Sequence, residues 1–429
     1  MKLAGRIAAA IEVLTEIFTR NRPASEALKD WGKAHRFAGS SDRHVIGTLV
    51  YDTLRNRNSA AMRAGNDSAR ALALGTLAEI WQLPISDIET LCTEQFGPGE
   101  LTAQEKLALA TMLPKDAAPH IIGNFPQWLE ADLRKTFGKS LGVEMAALSR
   151  RAPIDLRVNT LKASRNDVLQ SFAKFAAKPT PFSTTGIRIP PSGIDVRNVN
   201  VEAEPAHGLG QFEVQDEASQ LAALLTGVKP KDTVLDLCAG AGGKSLALAA
   251  LMQNQGKLVA YDRDKHRLRP IFERITRSGA TCIEVVAHDE PQNLRVLGGY
   301  NLVVVDAPCT GSGTWRRKPD AKWRLSEKQL QIRLKEQISV LEQAASLVGK
   351  GGKLAYFTCS ILPKENGDQV QTFLKSHSQF KIIPYTDQWR AAFSSPPPIS
   401  ADGSSDTLQL SPNSHGTDGF FVAMMQRTN

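Results

Sequence analysis

The chain has 429 residues, of which 42% are hydrophobic and 22% charged, a balance that is typical of globular proteins and excludes a disordered chain. Its 52 lysines and arginines against 44 aspartates and glutamates leave a net charge of +8, which is compatible with a polyanionic partner. No run of about twenty apolar residues occurs, so we expect no membrane span. The five cysteines form no CxxC pair, so we expect no metal site and no disulfide framework, and a cytoplasmic location.

The N-terminal third predicts helices. In MKLAGRIAAAIEVLTEIF the apolar residues recur at helical spacing, and Arg6, Glu12 and Glu16 interrupt any continuous apolar core, so this segment is an amphipathic helix rather than a signal peptide. The stretches RHVIGTLVYDTLRNRN and SARALALGTLAEIWQL follow the same spacing. Residues 1–145 are therefore predicted to form an all-helical domain with a binding or scaffold role.

Residues 146–210 predict a small α/β connector, with a strand at IDLRVNTL, a helix at SRNDVLQSFAKF and extended chain at GIRIPPSGIDV. From 211 to 429, short apolar runs alternate with helical segments; the runs are DTVLDLCAG, GKLVAYDRD, TCIEVVAHD, YNLVVVDAP and GKLAYFTCS. This alternation predicts an α/β, Rossmann-like domain with a mostly parallel sheet. SSPPPISADGSSDT is predicted as a loop and GFFVAMMQ as a last strand. Ligands of such sheets bind beyond the carboxyl ends of the strands, so we expect the functional site there.

A glycine-rich loop, LCAGAGGKS at 237–245, follows the first of these strands. Its glycines permit a tight turn and let a ligand approach the N-terminus of the next helix. The end of the loop matches the phosphate-binding loop of ATPases, but that pattern requires a glycine where this chain has Cys238. A P-loop ATPase is therefore the weaker alternative.

Asp262 ends the second strand about twenty residues beyond the glycines, a position from which a carboxylate commonly binds a ribose hydroxyl. Asp264, in the same YDRDK segment, could serve instead. The dinucleotide fingerprint is only half present, because Ser245 replaces its last glycine. A nucleoside cofactor without a pyrophosphate, such as S-adenosylmethionine, fits this loop better.

A cysteine stands at the end of each of the last two predicted strands: Cys309 follows VVVDAP, and Cys359 follows KLAYFT. If these strands are neighbours, both thiols lie at one cleft. Carbon 5 of cytosine is a poor nucleophile, but a thiolate that adds to carbon 6 makes carbon 5 able to attack a sulfonium methyl group. Asp306 is a candidate to neutralise the charge that develops on the ring. From the spacing alone, either cysteine could attack.

A basic segment follows Cys309. Between Arg316 and Lys335 there are eight basic residues and two acidic ones, which predicts contacts to phosphates. The candidate RNA contacts are Arg316, Arg317, Lys318, Lys322 and Arg324. Trp315 or Trp323 could stack on a base, although packing inside the protein is the alternative for both.

The segments VLDLCAGAGGK, DAPCTGSGTWRRKPDAKWR and FTCSILPKEN together resemble the Sun (Fmu, or Nop-Sun) family of RNA cytosine-5 methyltransferases, and the resemblance covers residues 150–429. LRVNTLKASR, VQDEASQLAALL and HGTDGFFVA are similar to further family segments, and the helical third resembles the NusB-like RNA-binding domain of the bacterial ribosomal-RNA members. The resemblance implies a class I methyltransferase fold, S-adenosylmethionine as donor, and a cytidine of 16S ribosomal RNA as substrate. A transfer-RNA substrate and a non-catalytic RNA-binding or ribosome-assembly factor remain alternatives. We expect a monomer.

The resemblance also implies residue roles. The nucleophile falls on Cys359, the thiol that releases the product on Cys309, and the contact to the base on Asp306. The implied donor site comprises Cys238, Ala239, Gly240, Ala241, Gly242, Gly243, Lys244, Asp262, Asp289 and Asp306. The chain departs from the family where Gly240-Ala241 replaces Ala-Pro, so the loop lacks the stiffness of a proline.

Overall fold

The computed structural model describes residues 1–114, 116–191, 193, 199–296 and 298–428. The N-terminal region is helical, as predicted, with α1 (Leu3–Arg20), α2 (Ala24–Ala34), α3 (Ser40–Arg55), α4 (Arg57–Ala64), α5 (Ala69–Glu79), α6 (Ile85–Thr93), α7 (Ala103–Ala110), α8 (Pro119–Ile122), α9 (Glu130–Phe137) and α10 (Leu141–Leu148), and 3-10 turns at Gln127–Leu129 and Gly138–Ser140. Helix α1 buries Ile7, Leu14 and Ile17, which lie on one face because the helix repeats every 3.6 residues. Together with apolar residues of α3 and α5, they form one core. The likeness to NusB stays a prediction.

A small antiparallel sheet follows, built from β1 (Ile154–Val158), β2 (Lys178–Pro179), β3 (Gly186–Ile189) and β4 (Phe212–Val214) in the order β2-β3-β1-β4. It is accompanied by α11 (Arg165–Ser171), α12 (Pro205–Gly208) and 3-10 turns at Ala173–Phe175 and Val201–Ala203. Val168 and Phe172 pack on Leu156 and Ile187 of the sheet. In the predicted extended segment GIRIPPSGIDV, the first part is β3, and positions 192 and 194–196 lie outside the described residues.

The large sheet contains β5 (Thr233–Asp236), β6 (Lys257–Ala260), β7 (Ile283–Val285), β8 (Tyr300–Asp306), β9 (Val348–Thr358), β10 (Phe380–Ile383), β11 (Leu408–Leu410) and β12 (Phe420–Arg427). Its helices are α13 (Glu217–Leu225), α14 (Gly243–Leu251), α15 (Lys265–Leu268), α16 (Ile271–Ser278), α17 (Pro319–Arg324), α18 (Glu327–Leu347), α19 (Gly367–Ser376), α20 (Tyr385–Ala392) and α21 (Pro412–His415), with 3-10 turns at Pro291–Leu294, Ser312–Thr314 and Pro363–Glu365. The strand order is β10-β12-β9-β8-β5-β6-β7, and β11 pairs with β12. Strands β5 to β9 are parallel, whereas β12 is antiparallel to β9 and β10. The predicted mostly parallel sheet is confirmed, and GFFVAMMQ is its last strand along the chain.

Both faces of the large sheet are buried, which explains the continuous apolar runs in its strands. Val234 and Leu302 pack in one core, whereas their neighbours Leu235 and Val303 pack in the core on the other face. The chain passes from β5 to β6 and β7 on one side and returns to β8 on the other. The carboxyl ends of β5 and β8 therefore border the crevice in which ligands of such sheets bind.

The helical region rests on the segment that follows β8. The Nε of Arg55 on α3 donates to the carbonyl oxygen of Arg316 at 2.9 Å, and the Nζ of Lys322 on α17 donates to the carbonyl oxygen of Arg55 at 3.0 Å. Two distant parts of the chain thus meet beside the expected site. None of the helices in the described part of the chain combines the length and apolarity that a membrane crossing requires.

Candidate active site

The glycine-rich loop connects β5 to α14 and is tied to its neighbours through its backbone. Gly242 has a φ of +86°, and a Cβ on it would lie 2.5 Å from Cγ1 of Ile271, so only glycine fits there. The N–H of Ala239 donates to the oxygen of Tyr261 at 2.9 Å, and the oxygen of Ala241 accepts from Arg274 at 2.7 Å. The loop is held in one shape without the proline of the family pattern.

Asp262, at the end of β6, is the acid that contacts this loop. Its carboxylate accepts the N–H of Gly240 and that of Asp264, both at 2.9 Å. Asp262 and Cys238 line a cavity of about 160 Å³, which also touches Arg267 of α15 and Glu336 of α18. The carboxylate of Asp264 instead caps α15 by accepting the N–H of His266 at 2.9 Å. Asp262, rather than Asp264, therefore borders the cavity.

Asp236, at the end of β5, has a fully buried carboxyl group that accepts the hydroxyl of Ser245 at 2.7 Å. Burial raises the pKa of Asp236 to about 7. Because the Ser245 side chain is buried and engaged in this bond, it is not placed to coordinate the magnesium ion of a nucleoside triphosphate. The geometry does not support the P-loop alternative.

Lys244 connects the loop to β8. Its ammonium group donates to the carboxylate of Asp306 at 3.1 Å and to the hydroxyl of Ser219 at 2.6 Å. The Lys244 side chain is only 4% exposed, whereas that of Asp306 is 34% exposed. The cation therefore orients a carboxylate that still reaches solvent at the mouth of the crevice.

The two predicted thiols are in contact. Strands β8 and β9 are parallel neighbours, with Asp306 opposite Phe357, so the loops that follow them lie side by side. The Sγ atoms of Cys309 and Cys359 are 3.4 Å apart, and the N–H of Gly313 donates to the oxygen of Cys359 at 2.9 Å. The hydrogen bond to Cys359, together with burial, holds the pKa of Cys309 well above its ordinary value. At neutral pH Cys309 is thus a thiol that can donate its S–H to its neighbour.

Glu365 joins the two thiol loops, and the sequence prediction overlooked it. Its buried carboxylate accepts the N–H of Thr310 at 2.8 Å, the hydroxyl of Ser360 at 2.5 Å and the amide of Gln337 at 3.0 Å. Burial raises the pKa of Glu365. The signal was present, because Glu365 lies six residues after Cys359 in the segment FTCSILPKEN. Its function is to hold the residues on either side of the thiol pair.

Comparisons with known proteins agree with this geometry. A model of the family described as "16S rRNA methyltransferase RsmB/F" matches residues 223–426, and one described as "Methyltr_RsmF/B-like, ferredoxin-like domain" matches residues 125–196. A protein from Synechocystis sp. named "Probable ribosomal RNA small subunit methyltransferase B" is 31% identical over 374 residues, which are 86% of this chain and 78% of that protein. The chain belongs to the RsmB/F methyltransferase family.

Two further similarities agree with this membership. A 28S rRNA (cytosine-C(5))-methyltransferase from Mus musculus is 28% identical over 77% of this chain, which corresponds to 42% of that longer protein. The crystal structure of a methyltransferase homolog protein from Pyrococcus horikoshii covers 74% of this chain and all of that one, with a TM-score of 0.59 and 25% identity. The resemblance of the motifs to the Sun family and the class of fold are both confirmed.

The basic segment of this RsmB/F member is not the exposed patch that we expected. Arg316 is 5% exposed, and its guanidinium pairs with Asp418 and, at 3.3 Å, with Asp216. Arg317 pairs with the same two acids at 2.5 and 2.8 Å. This cluster joins the motif segments VQDEAS, TWRRKP and TDGF. Arg316 is therefore a buried ion-pair partner and is not available for a phosphate.

Lys322, also predicted as an RNA contact, is buried as well. It is 1% exposed, and burial lowers its pKa to about 7. Trp315 is 1% exposed. Arg57 and Lys322 lie over the Trp323 ring at 5.4 and 5.0 Å from its centroid, so both indoles are packed inside the protein. Arg324 is half-buried and pairs with Asp320 at 2.8 Å. Lys318 is the exposed residue among the five predicted RNA contacts.

Asp289, which we predicted in the donor site, lies in the exposed loop after β7 and does not line the cavity beside Asp262. It forms a 3.6 Å ion pair with His288. Cys238 does line that cavity, and burial raises the pKa of its thiol. Cys238 is accordingly an apolar wall rather than a nucleophile.

Proposed function

We propose that this protein transfers a methyl group from S-adenosylmethionine to carbon 5 of a cytidine in RNA, with small-subunit ribosomal RNA as the substrate. The observation that carries the proposal is the 3.4 Å contact between the Cys309 and Cys359 thiols, next to the strand that ends on Asp306. A cytosine needs a sulfur nucleophile, a carboxyl group and a way to release the adduct, and these groups lie on two neighbouring loops.

The residues around the glycine-rich loop fit the methyl donor. Each carboxylate oxygen of Asp262 accepts one backbone N–H and keeps a lone pair for a ribose hydroxyl. The Oδ1 of Asp236 is buried without a hydrogen-bond partner in the described part of the chain, which suits a site that is completed by a polar ligand. When bound, the donor supplies an electrophilic methyl group on a sulfonium. Asp264 serves as the ribose contact only if the loop rearranges.

In the proposed reaction, the thiolate of Cys359 forms a bond to carbon 6 of the cytosine. The Asp306 carboxyl group, oriented by Lys244, shares a proton with N3 of the ring, and this proton neutralises the negative charge that develops there. Carbon 5 then accepts the methyl group and must lose its proton to a base. The electron pair of that C–H bond forms the new double bond as the bond from carbon 6 to sulfur breaks. Cys309, which lies against the leaving sulfur, assists this release.

The choice of ribosomal RNA rests on the relatives, which are named for the small-subunit and 28S ribosomal RNAs. A transfer-RNA methyltransferase and a non-catalytic RNA-binding factor are the alternatives. The contact between the thiols favours catalysis over mere binding, because a purely structural role gives no reason to place two free thiols at the mouth of a crevice.

The test is transfer of a radiolabelled methyl group from S-adenosylmethionine to purified 16S ribosomal RNA, small-subunit particles and transfer RNA, followed by mapping of 5-methylcytosine. We expect label in ribosomal RNA with the wild-type chain and none with Cys359→Ala, which should still bind the RNA. Label in transfer RNA alone would identify transfer RNA, rather than ribosomal RNA, as the substrate. Full activity of Cys359→Ala would reject the mechanism.

A further inference from the structure

The helical region contains a cavity of about 290 Å³ that the proposed reaction does not use. It lies between α2 and α3 and is closed by the segment that follows α10. Its wall includes Trp31, Arg43, His44, Tyr51, Arg55 and Arg151. Two aromatic residues and three arginines thus line one space.

The cavity is electropositive. The carboxylate of Asp52 pairs with both Arg55, at 3.0 Å, and Arg151, at 2.5 Å. Two guanidinium groups thus share one carboxylate, which leaves a net positive charge. Arg43 is exposed, and its Nε donates to the oxygen of Ala38 at 3.0 Å. No acidic side chain belongs to the described wall. Two acids outside the wall reach its residues: Glu12 accepts the indole N–H of Trp31 at 2.9 Å, and Asp320 adds to the rise that burial causes in the pKa of Tyr51. The excess of positive charge suits an anionic ligand.

One polar atom of the wall has no partner. The Nε2 of His44 is buried and forms no hydrogen bond to any described residue. A buried polar group without a partner in a native structure calls for a ligand or a water molecule. The imidazole therefore offers a hydrogen bond to whatever enters the cavity.

An aromatic ladder leads from the cavity to solvent. The rings of Trp31 and His35 are stacked with centroids 4.3 Å apart, and the ring of Phe37 meets His35 edge-on at 5.8 Å. Phe37 is 72% exposed, so most of this apolar ring is open to solvent beside His35. Exposed aromatic rings next to arginines are the usual platform for unstacked bases of single-stranded RNA.

We propose that this cavity and the ladder at its rim bind one unpaired nucleotide of the RNA substrate, away from the cytidine that is methylated. Phe37 stacks on the base, and Arg43 contacts its phosphate. Arg55 lines the cavity and also donates to the oxygen of Arg316, in the segment that follows Cys309. One side chain therefore contacts both the cavity and the segment beside the thiols. The proposal rests on the proposed function, because it presumes that the substrate is RNA.

The experiment uses the full chain with the double variant Phe37→Ala/Arg43→Ala and a fluorescent single-stranded RNA of mixed pyrimidines, without methyl donor. We expect binding to weaken about tenfold and the slope of log affinity against log salt to fall by about 0.7, the value for one phosphate of a single strand. With a 16S ribosomal RNA transcript and methyl donor, the KM for RNA should rise by a similar factor while kcat stays unchanged. Ultraviolet cross-linking of the wild-type complex should label the peptide that contains Trp31 and Phe37.

The matched control is Lys106→Ala/Leu107→Ala, which removes one cation and one exposed apolar side chain from α7 in the same helical region. It should leave affinity and slope unchanged. Wild-type affinity and slope in the double variant, with an unchanged thermal midpoint and a wild-type chain that methylates RNA, would reject the cavity as a nucleotide site. A wild-type chain that neither binds nor methylates RNA would instead reject the proposed function itself.

Discussion

Cys309 and Cys359 carry the same side chain, but their surroundings differ. The hydrogen bond with the Cys359 sulfur, together with burial, raises the pKa of Cys309, and Glu365 ties down the loop directly after it through Thr310. Cys309 is therefore kept as a neutral thiol, which suits assistance to a leaving group better than attack. The choice of Cys359 as the nucleophile rests on its Thr-Cys-Ser motif, and a neutral Cys309 is compatible with that choice.

Replacing Cys309 by alanine should leave the attack of Cys359 intact and impair release. A protein–RNA adduct that survives denaturation should accumulate in the presence of methyl donor and appear as a slow band on a denaturing gel. Cys282→Ala, which removes a thiol far from the crevice, is the control and should give no adduct. Full turnover by Cys309→Ala without an adduct would show that release needs no second thiol.

The carboxyl group of Asp236 predicts a pH dependence of stability. Its pKa rises from 3.8 to about 7 on folding, because the group is buried. A raised pKa in the folded state contributes stability that is fully present below pH 3.8 and is lost as the pH rises through about 7. The free energy of unfolding of the wild type, relative to Asp236→Asn, should fall across this range. Urea unfolding of both proteins at several pH values measures it, and a constant difference would contradict the raised pKa.

At the scale of elements, the segment from β8 to the end of α17 has two parts with different functions, and the sequence pattern does not show where one ends and the other begins. Its first part carries Asp306 and Cys309, and its second part is a packing element whose Lys322 and Trp323 bind the backbone of α3. Two basic residues in this second part are held by the protein, because Lys322 donates to a backbone carbonyl and Arg324 pairs with Asp320, whereas Lys318 is exposed. A high density of basic residues is thus not equivalent to an RNA-binding surface.

Lys318 and Lys322 form a matched pair for testing this distinction. Lys318→Ala removes an exposed cation and should lower the slope of log RNA affinity against log salt by about 0.7 if it contacts one phosphate. Lys322→Met removes a buried cation and should leave the slope unchanged while it alters the thermal midpoint. The measurement is RNA binding at a series of salt concentrations, and equal changes of slope in both variants would restore Lys322 as an RNA contact.

At the scale of the whole molecule, a buried ionic cluster joins segments that are about one hundred residues apart in the sequence. Asp216 caps the N-terminus of α13, Arg316 and Arg317 follow the thiol loop, and Asp418 precedes β12. The N–H of Asp418 also donates to the carboxylate of Asp216 at 3.1 Å. Next to the cluster, the N–H of Gly419 donates to the oxygen of Gly313 at 2.9 Å. The cluster therefore fixes the position of the thiol loop against the rest of the catalytic domain.

Asp418→Asn leaves the buried guanidinium of Arg316 and the part-buried guanidinium of Arg317 with one carboxylate. Because an uncompensated buried charge is costly, the free energy of unfolding should fall by about 3 kcal/mol, and kcat should fall more than the KM for RNA rises. Asp406→Asn, in an exposed loop, is the control for loss of an acid. Chemical denaturation and steady-state kinetics measure both effects; a variant as stable as the wild type would mean that the cluster does not hold the loop.

The sequence left open whether the two strands that end near Cys309 and Cys359 are neighbours. It was sufficient to predict the helical N-terminal region, the mostly parallel sheet and a thiol at the end of each of these strands. Each of these follows from local regularities, namely helical spacing, apolar runs and the residues that end a strand, and such regularities act within about ten positions. Glu365 was within reach too, since it belongs to a quoted motif, but nothing local distinguishes a carboxylate that supports two loops from one in solvent.

Only the tertiary structure decided that Arg316 and Lys322 are buried, that Asp262 and not Asp264 borders the cavity, and that the two sulfurs touch. Whether a charged side chain faces water or an ion-pair partner depends on residues far away in the chain, as Asp418 shows for Arg316. Those partners arrive through packing of whole elements, which composition and spacing do not encode. The residue types needed for the proposed chemistry can thus be read from the chain, whereas their free or engaged state is a property of the fold.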